Sequence, residues 1–284
     1  MKIAIASGKG GTGKTTVATN LAYIASCNGI KVSYRDCDVE EPNGHIFLKP
    51  QITDKRPVSV PIPVVDEGAC IACGKCGEIC QYSAIVSLAD KALVFPELCH
   101  SCGGCMLVCP TGAISEQPRE IGRIESGNSD SISFVHGILN IGEVKGISLI
   151  RQVKQSPPQE YDMLIVDSPP GTSCPVIESV RKSDLVVLVT EPTPFGLYDL
   201  KLAMDMVRAL LLPFGVVFNR ADPDNNAMRE FCHDNRVEIL ATIPDDRWIA
   251  ETYSTGNLIA EHSGKYRDIF NKLLSRITNF IKSY

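Results

Sequence analysis

Residues 8–15 have the sequence Gly-Lys-Gly-Gly-Thr-Gly-Lys-Thr, and this stretch decides the fold of the chain. A short apolar run precedes it at residues 2–6, and a helical pattern follows from Lys14 to about Asn28, where Gly29 suits a C-terminal cap. Glycines let a backbone wrap tightly, so that its N–H groups and the N-terminus of the next helix face phosphate groups. The stretch therefore predicts a phosphate-binding loop between a strand and a helix, and this context argues against a glycine turn without a ligand.

Two side chains of the loop carry its chemistry. Lys14 is expected to reach the β- and γ-phosphates of a nucleotide, and the hydroxyl of Thr15 is expected to bind Mg²⁺. The other loop residues are expected to contact the nucleotide chiefly through their backbone. They are Gly8, Gly10, Gly11, Thr12, Gly13 and Thr16.

Much of the remaining chain has the pattern of a parallel sheet. Residues 31–34 form a second apolar run that ends at Arg35-Asp36-Cys37-Asp38, which completes a β-α-β unit. Nearly continuous apolar runs, as expected of parallel strands buried on both faces, return later with helical patterns between them. These runs are residues 162–167, 184–189, 214–218 and 237–243. The predicted fold class is α/β, a parallel sheet that carries the phosphate loop and is flanked by helices.

A cysteine-rich insert interrupts this sheet pattern. Prolines at positions 50, 57, 61 and 63 break up the segment that precedes it, and eight of the twelve cysteines lie between Cys70 and Cys109. The insert contains a repeat with an offset of 29 residues, so that Gly74 recurs as Gly103. We predict a nucleotide-binding domain in two parts, residues 1–57 and 119–284, around an insert at residues 58–118. Residues 119–150 are expected to add a strand and a helix to that domain.

The cysteines of the insert have the spacing of iron–sulfur ligands. The pattern C-x₂-C-x₂-C-x₃-C occurs twice, as in bacterial ferredoxins, where the fourth cysteine of each run ligates the other cluster. The first [4Fe–4S] cluster would take Cys70, Cys73, Cys76 and Cys109, and the second Cys99, Cys102, Cys105 and Cys80. Zinc is the alternative, but structural zinc sites normally use two separated Cys-x₂-Cys pairs. Pro110 follows Cys109 as the pattern requires, whereas Gln81 follows Cys80, so the turn after Cys80 is less determined.

A second lysine in the phosphate loop, Lys9, connects the chain with a known superfamily. Residues 9–16, Lys-Gly-Gly-Thr-Gly-Lys-Thr-Thr, resemble the deviant phosphate loop of the ATPases that include the nitrogenase iron protein, the Min division-site ATPases and the Mrp cluster carriers. In that superfamily the early lysine reaches across a dimer to the partner's nucleotide. The resemblance implies this role for Lys9; the alternative is a solvated loop lysine.

Four more motifs resemble the same superfamily. Asp36-Cys37-Asp38 with Asn43 resembles its first switch, which implies that Asp38 orients the attacking water. Residues 167–172 resemble its second switch, where Asp167 would hold the Mg²⁺ shell and the Gly171 N–H would sense the γ-phosphate. The motif at Asn219 and Arg220 resembles the adenine-reading segment, and Pro244 with Asp245, leading towards Gly256, resembles the loop that closes over the base. A strand-end aspartate that caps a helix is the alternative for the acidic positions.

The order of these motifs resembles a prokaryotic family of Min/Mrp-type ATPases with an inserted, bacterial-ferredoxin-like α+β domain, and the resemblance covers the whole chain. It implies ATP or ADP, Mg²⁺ and two [4Fe–4S] clusters as cofactors. It also implies a homodimer, or a heterodimer with a paralogue, and a redox or iron–sulfur client protein. The expected function couples Mg-ATP hydrolysis and dimer closure to electron transfer through the clusters. A cluster assembly or carrier ATPase is one alternative, and a positioning or regulatory ATPase with a redox-sensing ferredoxin is another.

Composition limits the other classes of function. The 28 Lys and Arg residues against 33 Asp and Glu residues give a net charge of −5, which provides no overall field for nucleic acid or an anionic membrane. No run approaches the roughly 18–20 apolar residues of a membrane-spanning helix. The first residues lack the pattern of a signal peptide, so we expect a cytoplasmic protein. In that reducing compartment clustered cysteines usually bind metal.

Two weaker signals leave alternatives open. Cys174 follows the second switch, where the nitrogenase iron protein has a cysteine that helps to bridge a cluster, but a small buried thiol is the preferred interpretation. Residues 266–284 place apolar side chains on one helical face, which predicts a helix that covers the sheet, with membrane attachment as the alternative. The remaining cysteines, Cys27, Cys37 and Cys232, have no metal spacing and are interpreted as core or incidental.

Overall fold

The structure is a computed structural model that describes residues 1–157, 160–222 and 227–283. Its strands are β1 (Lys2–Ala6), β2 (Val32–Asp36), β3 (Gln51–Val65), β4 (Ile85–Leu88), β5 (Lys91–Val94), β6 (Ile114–Ser129), β7 (Ile132–Leu139), β8 (Met163–Asp167), β9 (Leu185–Thr190), β10 (Phe214–Ala221) and β11 (Ile239–Pro244). Its helices are α1 (Lys14–Cys27), α2 (Gly44–Leu48), α3 (Lys75–Ile79), α4 (Gly104–Leu107), α5 (Gly146–Gln155), α6 (Cys174–Val180), α7 (Pro194–Ala209), α8 (Ala227–Asp234), α9 (Arg247–Ser254), α10 (Ile259–His262) and α11 (Gly264–Ser283).

One large sheet organises the chain. In the described residues it has nine strands in the order β11-β10-β9-β1-β8-β2-β7-β6-β3. Every neighbouring pair from β11 to β7 is parallel. The predicted apolar runs form β8 and β9, and every residue of both strands is buried, as expected where helices cover both faces. The prediction of an α/β fold with a mostly parallel sheet flanked by helices is confirmed.

The topology brings the predicted switch and base-reading motifs to one edge of the sheet. The phosphate loop leaves the carboxyl end of β1, which lies between β8 and β9. Asp36 and Asp167 are the last residues of β2 and β8, and they are register partners. Asn219 lies near the end of β10, and Pro244 ends β11. Ligands of open α/β sheets bind at the carboxyl ends of the strands, near the point where the strand order reverses.

The C-terminal helix α11 packs in the core, as the sequence predicts. Phe270, Leu273 and Ile277 are buried in the same apolar cluster as Leu21 of α1 and Val187 of β9. Its polar side chains tie it to neighbouring elements, since Arg276 donates to the carbonyls of Ile239 and Leu240 at 2.8 and 3.2 Å. The prediction of a core-facing helix is therefore confirmed for the described residues; Tyr284 lies outside them.

The segment from Gln51 to Val65 differs from its prediction. Prolines were expected to break it up, yet it forms the fifteen-residue strand β3. β3 is the last strand in the sheet order, and proline is tolerated in an edge strand because the outward side needs no N–H donor. Residues 119–150 also differ: two strands, β6 and β7, are joined through Asp130 and Ser131, and a helix follows.

The chain divides into two compact units. The first comprises Met1–Lys55, Ile124–Ile138 and Ile150–Tyr284, and the second comprises Arg56–Arg123 and Leu139–Leu149. The predicted insert, residues 58–118, lies within the second unit, which extends further to residues 56–57, 119–123 and 139–149. The prediction had given these three segments to the nucleotide-binding domain.

The second unit contains the internal repeat as backbone geometry. Three pairs of positions 29 residues apart share a left-handed conformation: Ala72 and Ser101 (φ 51° and 55°), Gly74 and Gly103 (81° and 71°), Ser83 and Gly112 (51° and 66°). α3 and α4 each begin directly after the glycine of the second pair. The turn after each fourth cysteine is closed in the same way, by N–H donors of Ser83 and Gly112 at 3.3 Å. Gln81 therefore forms the same turn as Pro110.

Candidate functional site

The phosphate loop is held in shape by its glycines and by Asn219. Gly13 has φ 92° and precedes α1, and a Cβ there would lie 2.2 Å from Asn219 Nδ2. The same Nδ2 donates to the Thr12 carbonyl oxygen at 2.8 Å. A Cβ at Gly8 would lie 2.2 Å from the Asp199 carbonyl oxygen of α7. The loop requires glycine at these two positions because neighbouring elements approach its backbone closely.

A cleft of about 460 Å³ lies in front of this loop. Its size is within the roughly 300–1,000 Å³ that is usual for small-molecule sites. The predicted site residues that line it are Gly10, Gly11, Gly13, Lys14, Thr15, Thr16, Asp38, Asn219, Arg220, Pro244 and Asp245. Asn43 of the first-switch motif lines it as well. The structure thus brings the phosphate, switch and base-reading motifs to one cavity.

Three carboxyl groups, those of Asp36, Asp38 and Asp167, interact with one another at this edge of the sheet, and Lys14 interacts with the last two. Asp36 is buried, and its two oxygens accept from the N–H groups of Asp38 at 3.1 Å and Gly44 at 2.8 Å. The Cys37 N–H donates to the Asp167 carbonyl oxygen at 2.8 Å, which fixes the end of β2 against the end of β8. Burial raises the pKa of Asp36, and the neighbouring Asp167 raises it further.

Asp167 has one carboxylate oxygen engaged and one free for a ligand. Tyr34 donates to Oδ2 at 2.9 Å, while Oδ1 is buried without a hydrogen-bond partner in the described structure. Burial raises the pKa of Asp167, and the hydroxyl of Thr15, the ammonium of Lys14 and Tyr34 oppose that rise. A buried, unpartnered carboxylate oxygen beside a threonine hydroxyl is the oxygen donor set that Mg²⁺ prefers. These residues fit the predicted magnesium site.

Asp38 faces the cleft with an unusually basic carboxyl group. Burial and the charge of Asp167 raise its pKa to about 6, although Lys14 lowers it. It lies two residues beyond the end of β2, where the Asp38 N–H is tied to Asp36. The side chain therefore projects from a fixed backbone into the cleft in front of Lys14. Such a carboxylate is able to orient a water molecule near a bound phosphate.

Lys9 forms a contact that the sequence did not predict. Its ammonium lies 3.4 Å from Glu191 Oε2, and Arg220 donates to Glu191 Oε1 at 2.6 Å. Glu191 follows β9 directly, so one carboxylate joins the loop lysine to the residue after Asn219. No sequence motif marks Glu191, because its role depends on the side-by-side order of β1, β9 and β10 rather than on spacing along the chain.

Gly171 is also engaged within the fold. It has φ 95°, and its N–H donates to the Ser7 carbonyl oxygen at 3.1 Å. The predicted γ-phosphate sensor is thus attached to the first residue after β1. A role in sensing would require the N–H to exchange Ser7 for a phosphate oxygen.

Several residues of the cleft escaped the sequence prediction. Glu41, Ile249, Ala250 and Tyr253 line it, and Tyr253 of α9 stacks on Phe47 of α2 with ring centroids 4.7 Å apart. Asp246 caps α9 by accepting from the Trp248 N–H at 2.9 Å. A polar residue directly before a helix is a sequence signal for such a cap. The apolar residues that line the cleft could not be predicted in the same way, because their position depends on tertiary packing.

The eight cysteines of the second unit line two separate cavities. Cys70, Cys73 and Cys76 line one cavity together with Cys109. Cys99, Cys102 and Cys105 line the other together with Cys80. The fourth cysteine of each run thus lies with the first three of the other run. Among residues 1–157, 160–222 and 227–283, no three Cys, His, Asp or Glu side chains are grouped as ligands of a single metal ion.

The two fourth cysteines have an environment that favours the thiolate. The Thr111 hydroxyl and the N–H groups of residues 111–113 lower the pKa of Cys109. Burial alone would raise the pKa of Cys80, but the N–H groups of residues 82–85 lower it overall. Burial raises the pKa of Cys76 and Cys105, which are again 29 residues apart. Thiolates are the form in which cysteine binds iron.

The four remaining cysteines lie in the first unit. Cys174 is exposed at the start of α6, so the preferred interpretation as a small buried thiol was wrong. Cys174 is the first residue of α6, and in that same first turn Val176 rather than Cys174 is the buried side chain. Cys37 and Cys232 are buried and Cys27 is exposed, in line with core and incidental positions. Burial raises the pKa of Cys37, which keeps this thiol protonated between the two acidic switch residues.

The sequence pattern of one nucleotide-binding family matches residues 3–259, which include the phosphate loop, both switches and the base-reading segments. That pattern is CbiA, the CobQ/CobB/MinD/ParA nucleotide-binding domain. The chain belongs to this family. The residues that line the cleft in front of Lys14 all lie within the matched range.

Relatives within and near the CobQ/CobB/MinD/ParA family extend over the whole chain. An uncharacterised protein of Methanocaldococcus jannaschii is 31% identical over 283 residues, which covers 99% of this chain and 97% of that protein. An iron–sulfur cluster carrier protein of the same organism is 25% identical over 300 residues, covering 99% of this chain and 85% of that protein. The septum site-determining protein MinD of Pyrococcus horikoshii, solved with Mg-ADP, has a TM-score of 0.61 at 20% identity, covering 97% of this chain and 95% of that one.

The MinD likeness shows the fold of the family rather than a particular activity, because the identity is low. None of the helices in the described residues is both long enough and apolar enough to span a bilayer. The fold is thus what this chain shares with MinD.

Proposed function

We propose that this family member binds and hydrolyses Mg-ATP, holds two [4Fe–4S] clusters in its second unit, and couples hydrolysis to electron transfer to a partner protein. The observation that carries the proposal is the crossed arrangement of the cysteines around two cavities. Two four-iron clusters in a duplicated ferredoxin-type unit need this exchange of the fourth ligand. In this proposal residues 58–118 form an inserted ferredoxin-like domain.

The nucleotide side of the proposal rests on the first unit. Lys14 and the loop N–H groups would bind the phosphates, and Thr15 with Asp167 Oδ1 would hold the Mg²⁺ shell, which neutralises charge on the phosphates. Asp38 would orient a water molecule whose oxygen attacks the γ-phosphorus. The bond to the bridging oxygen then breaks, ADP leaves, and the proton of the water passes to solvent. Asn219, Arg220, Pro244 and Asp245 would surround the base.

The iron–sulfur side rests on the cysteine sets. Cys70, Cys73, Cys76 and Cys109 would hold the first cluster, and Cys99, Cys102, Cys105 and Cys80 the second. Bound clusters of this type supply one-electron redox chemistry. The cysteines face cavities rather than a single point, which favours a cluster over one tetrahedral zinc ion.

The two activities are close along the chain. Asp38 and Asn43 lie in the first switch, α2 follows at Gly44–Leu48, and β3 then leads to Val65. In this proposal a change in the backbone of the switch on nucleotide binding is passed along α2 and β3 to the segment that enters the cysteine-rich unit. Gly44 is required at the start of α2, because a Cβ there would lie 2.6 Å from the Tyr34 ring.

The direct test is an anaerobic redox titration followed by electron paramagnetic resonance (EPR), with and without Mg-ATP. We expect about eight iron atoms per chain, because two four-iron clusters occupy all eight cysteines, and Mg-ATP is expected to shift at least one midpoint potential. Protein that holds two zinc ions and shows no charge-transfer absorption in the visible range would contradict the cluster assignment.

Single cysteine variants test the crossed ligation. Cys109→Ser is expected to impair the first cluster and leave the second intact, and Cys80→Ser is expected to do the reverse. The EPR spectrum of the surviving cluster identifies which set each cysteine serves. If both variants lose the same cluster, the crossed assignment is wrong.

A cluster carrier is the second candidate, and two observations favour it. Relatives that match most of this chain are named iron–sulfur cluster carrier proteins. Cys174 is exposed at the start of α6, where its thiol would be accessible as a ligand of a labile cluster between two subunits. Transfer of iron and sulfide to an acceptor protein that lacks its cluster tests this function. Cys174→Ser is expected to abolish transfer if the carrier function holds, whereas Cys27→Ser, another exposed cysteine, serves as the control.

A further inference from the structure

Two cationic side chains, Lys145 and Arg119, bind the same backbone oxygen in the turn that precedes Cys99, the first cysteine of the second set. Lys145 Nζ donates to the Pro96 carbonyl oxygen at 3.1 Å, and Arg119 Nη1 donates to the same oxygen at 3.2 Å. The Cys99 N–H donates to this carbonyl as well, at 3.3 Å. Both cations are therefore attached to the turn that positions the first cysteine of the second set.

Glu143 completes this group and fixes Lys145 in place. Its Oε1 accepts from the Lys145 N–H at 3.2 Å, and its Oε2 lies 3.0 Å from Arg119 Nη1. Lys145 is 9% exposed, so its charge is poorly screened by water. Burial lowers the pKa of Lys145, while Glu143 and the thiol of Cys99 favour its charged form.

The equivalent turn of the first half differs in charge. The offset of 29 residues places Asp66 and Glu67 where the second half has Phe95 and Pro96. The Ala69 N–H donates to the Asp66 carbonyl oxygen at 3.3 Å, as the Leu98 N–H does to that of Phe95 at 3.1 Å, so the backbone turn is repeated in both halves. The first turn has two carboxylates of its own and Lys75 follows within the first run of cysteines, whereas the second turn binds two cations that Glu143 and the exposed Glu97 balance, and Glu116 lines the second cavity.

We propose that Lys145 raises the reduction potential of the second cluster and so favours electron flow towards it. Reduction adds one negative charge to a cluster, and a nearby cation in a poorly hydrated site stabilises that charge. Lys145 thereby favours the transfer of one electron from the first cluster, which is oxidised, to the second, which is reduced. Lys145 is a positioning and tuning residue here, and the inference rests on the proposed function.

The test is a redox titration of the anaerobically prepared full chain, with dithionite as reductant and EPR as the readout. The midpoint that changes in Cys80→Ser belongs to the second cluster. Lys145→Gln retains a donor for Pro96 but removes the charge, and it is expected to lower that midpoint by about 59 mV, a tenfold change in the one-electron ratio of reduced to oxidised cluster. Lys145→Arg is expected to keep the original value.

Two further variants make the result decisive. Lys91→Gln removes an exposed lysine of β5 in the same unit, and it is expected to move neither midpoint. Glu97→Gln removes an exposed carboxylate from the Pro96 turn, and it is expected to raise the second midpoint by a smaller amount. This variant decides the question if Lys145→Gln loses iron.

The inference is overturned if Lys145→Gln holds eight irons with both midpoints unchanged, or if Lys91→Gln has an equal effect. It is also overturned if Lys145→Gln loses iron and Glu97→Gln leaves the second midpoint in place. An unaltered chain that binds no iron–sulfur cluster refutes the proposed function instead, and the iron content separates these two failures.

Discussion

Lys14 is the cation around which the acidic residues of the nucleotide cleft are arranged. It is buried, and its charge lowers the pKa values of both Asp38 and Asp167 against the effect of burial. We predict that Lys14→Ala abolishes ATP binding and hydrolysis, because the phosphates lose their main cation. The eight proposed cluster ligands lie in the other compact unit, so the iron content is expected to remain that of the unaltered chain.

Phosphate release and iron analysis measure the two halves of this prediction. Lys31→Ala, which removes an exposed lysine of the same unit, is the matched control and should change neither quantity. Loss of iron together with hydrolysis in Lys14→Ala would show that the two activities share one folding unit.

Asp38 gives the cleft a testable pH dependence. Its pKa of about 6 means that the carboxylate is charged above that pH and neutral below it. If the charged form orients water, turnover falls as the pH drops through about 6. Asp38→Asn is expected to bind nucleotide, to turn over at least about tenfold more slowly, and to lack this acid limb. If the turnover of the Asp38→Asn protein is unchanged, Asp36 rather than Asp38 is the residue that orients the water.

At the scale of single residues, the sequence predicted those parts of the site that act through local spacing. The loop from Gly8 to Thr16 and the strand-end acids were predictable because their chemistry requires fixed residue types after a strand. Glu191 was not predictable, since its contacts with Lys9 and Arg220 arise only when three strands align. The burial of Cys174 was predicted incorrectly, because it depends on which side of α6 faces solvent, and the residues next to Cys174 in the sequence do not show this.

Gly13 shows how one element constrains another. Its φ of 92° is unfavourable for residues with a Cβ, and such an atom would also displace Asn219 from the loop. We predict that Gly13→Ala weakens ATP binding by more than tenfold and lowers thermal stability beyond the roughly 1–2 kcal/mol of backbone strain. Gly29→Ala is the control, because Gly29 has φ 78° with open space around it. It should retain full nucleotide affinity.

Nucleotide titration and thermal unfolding of the two glycine variants distinguish these effects. Equal losses of affinity in both variants would mean that backbone strain alone, rather than the contact with Asn219, explains the requirement for glycine at position 13.

At the scale of elements, hydrophobic runs predicted the parallel strands well. β8 and β9 are buried on both faces, so their sequences are apolar without interruption and easy to recognise. β3 was missed because an exposed edge strand lacks this pattern and contains prolines. β6 was also missed, since only part of its sixteen residues is buried and its buried and exposed positions do not alternate regularly.

For the whole molecule, we predict a nucleotide-dependent dimer that uses Lys9 twice about a two-fold axis. Lys14 already serves its own nucleotide, so a second lysine acts best on charge that develops in the partner's site. Lys9 is paired with Glu191 within its own chain, and dimer formation would have to break this half-buried ion pair, whose side chains are 33% and 14% exposed. Lys9→Ala should bind ATP normally but lose hydrolysis and dimerisation.

Light scattering with ATP and the Asp38→Asn chain, which is expected to hydrolyse slowly, measures this association. Glu191→Gln is the complementary variant: it leaves Lys9 unpaired and is expected to dimerise at lower ATP concentration. A particle that remains monomeric with nucleotide bound, alone and mixed with a paralogous chain, would rule out dimer closure.

The prolines of β3 have a consequence for how copies of this chain can meet. An exposed sheet edge is a template on which another strand can add, and it is a common start of aggregation. Pro57, Pro61 and Pro63 lack the N–H donor at three positions of the edge strand. A continuous ladder of hydrogen bonds cannot extend past them, so the sheet is protected against growth in this direction. Association of two chains at this edge is thereby left to side chains, whose contacts can be made and broken one by one.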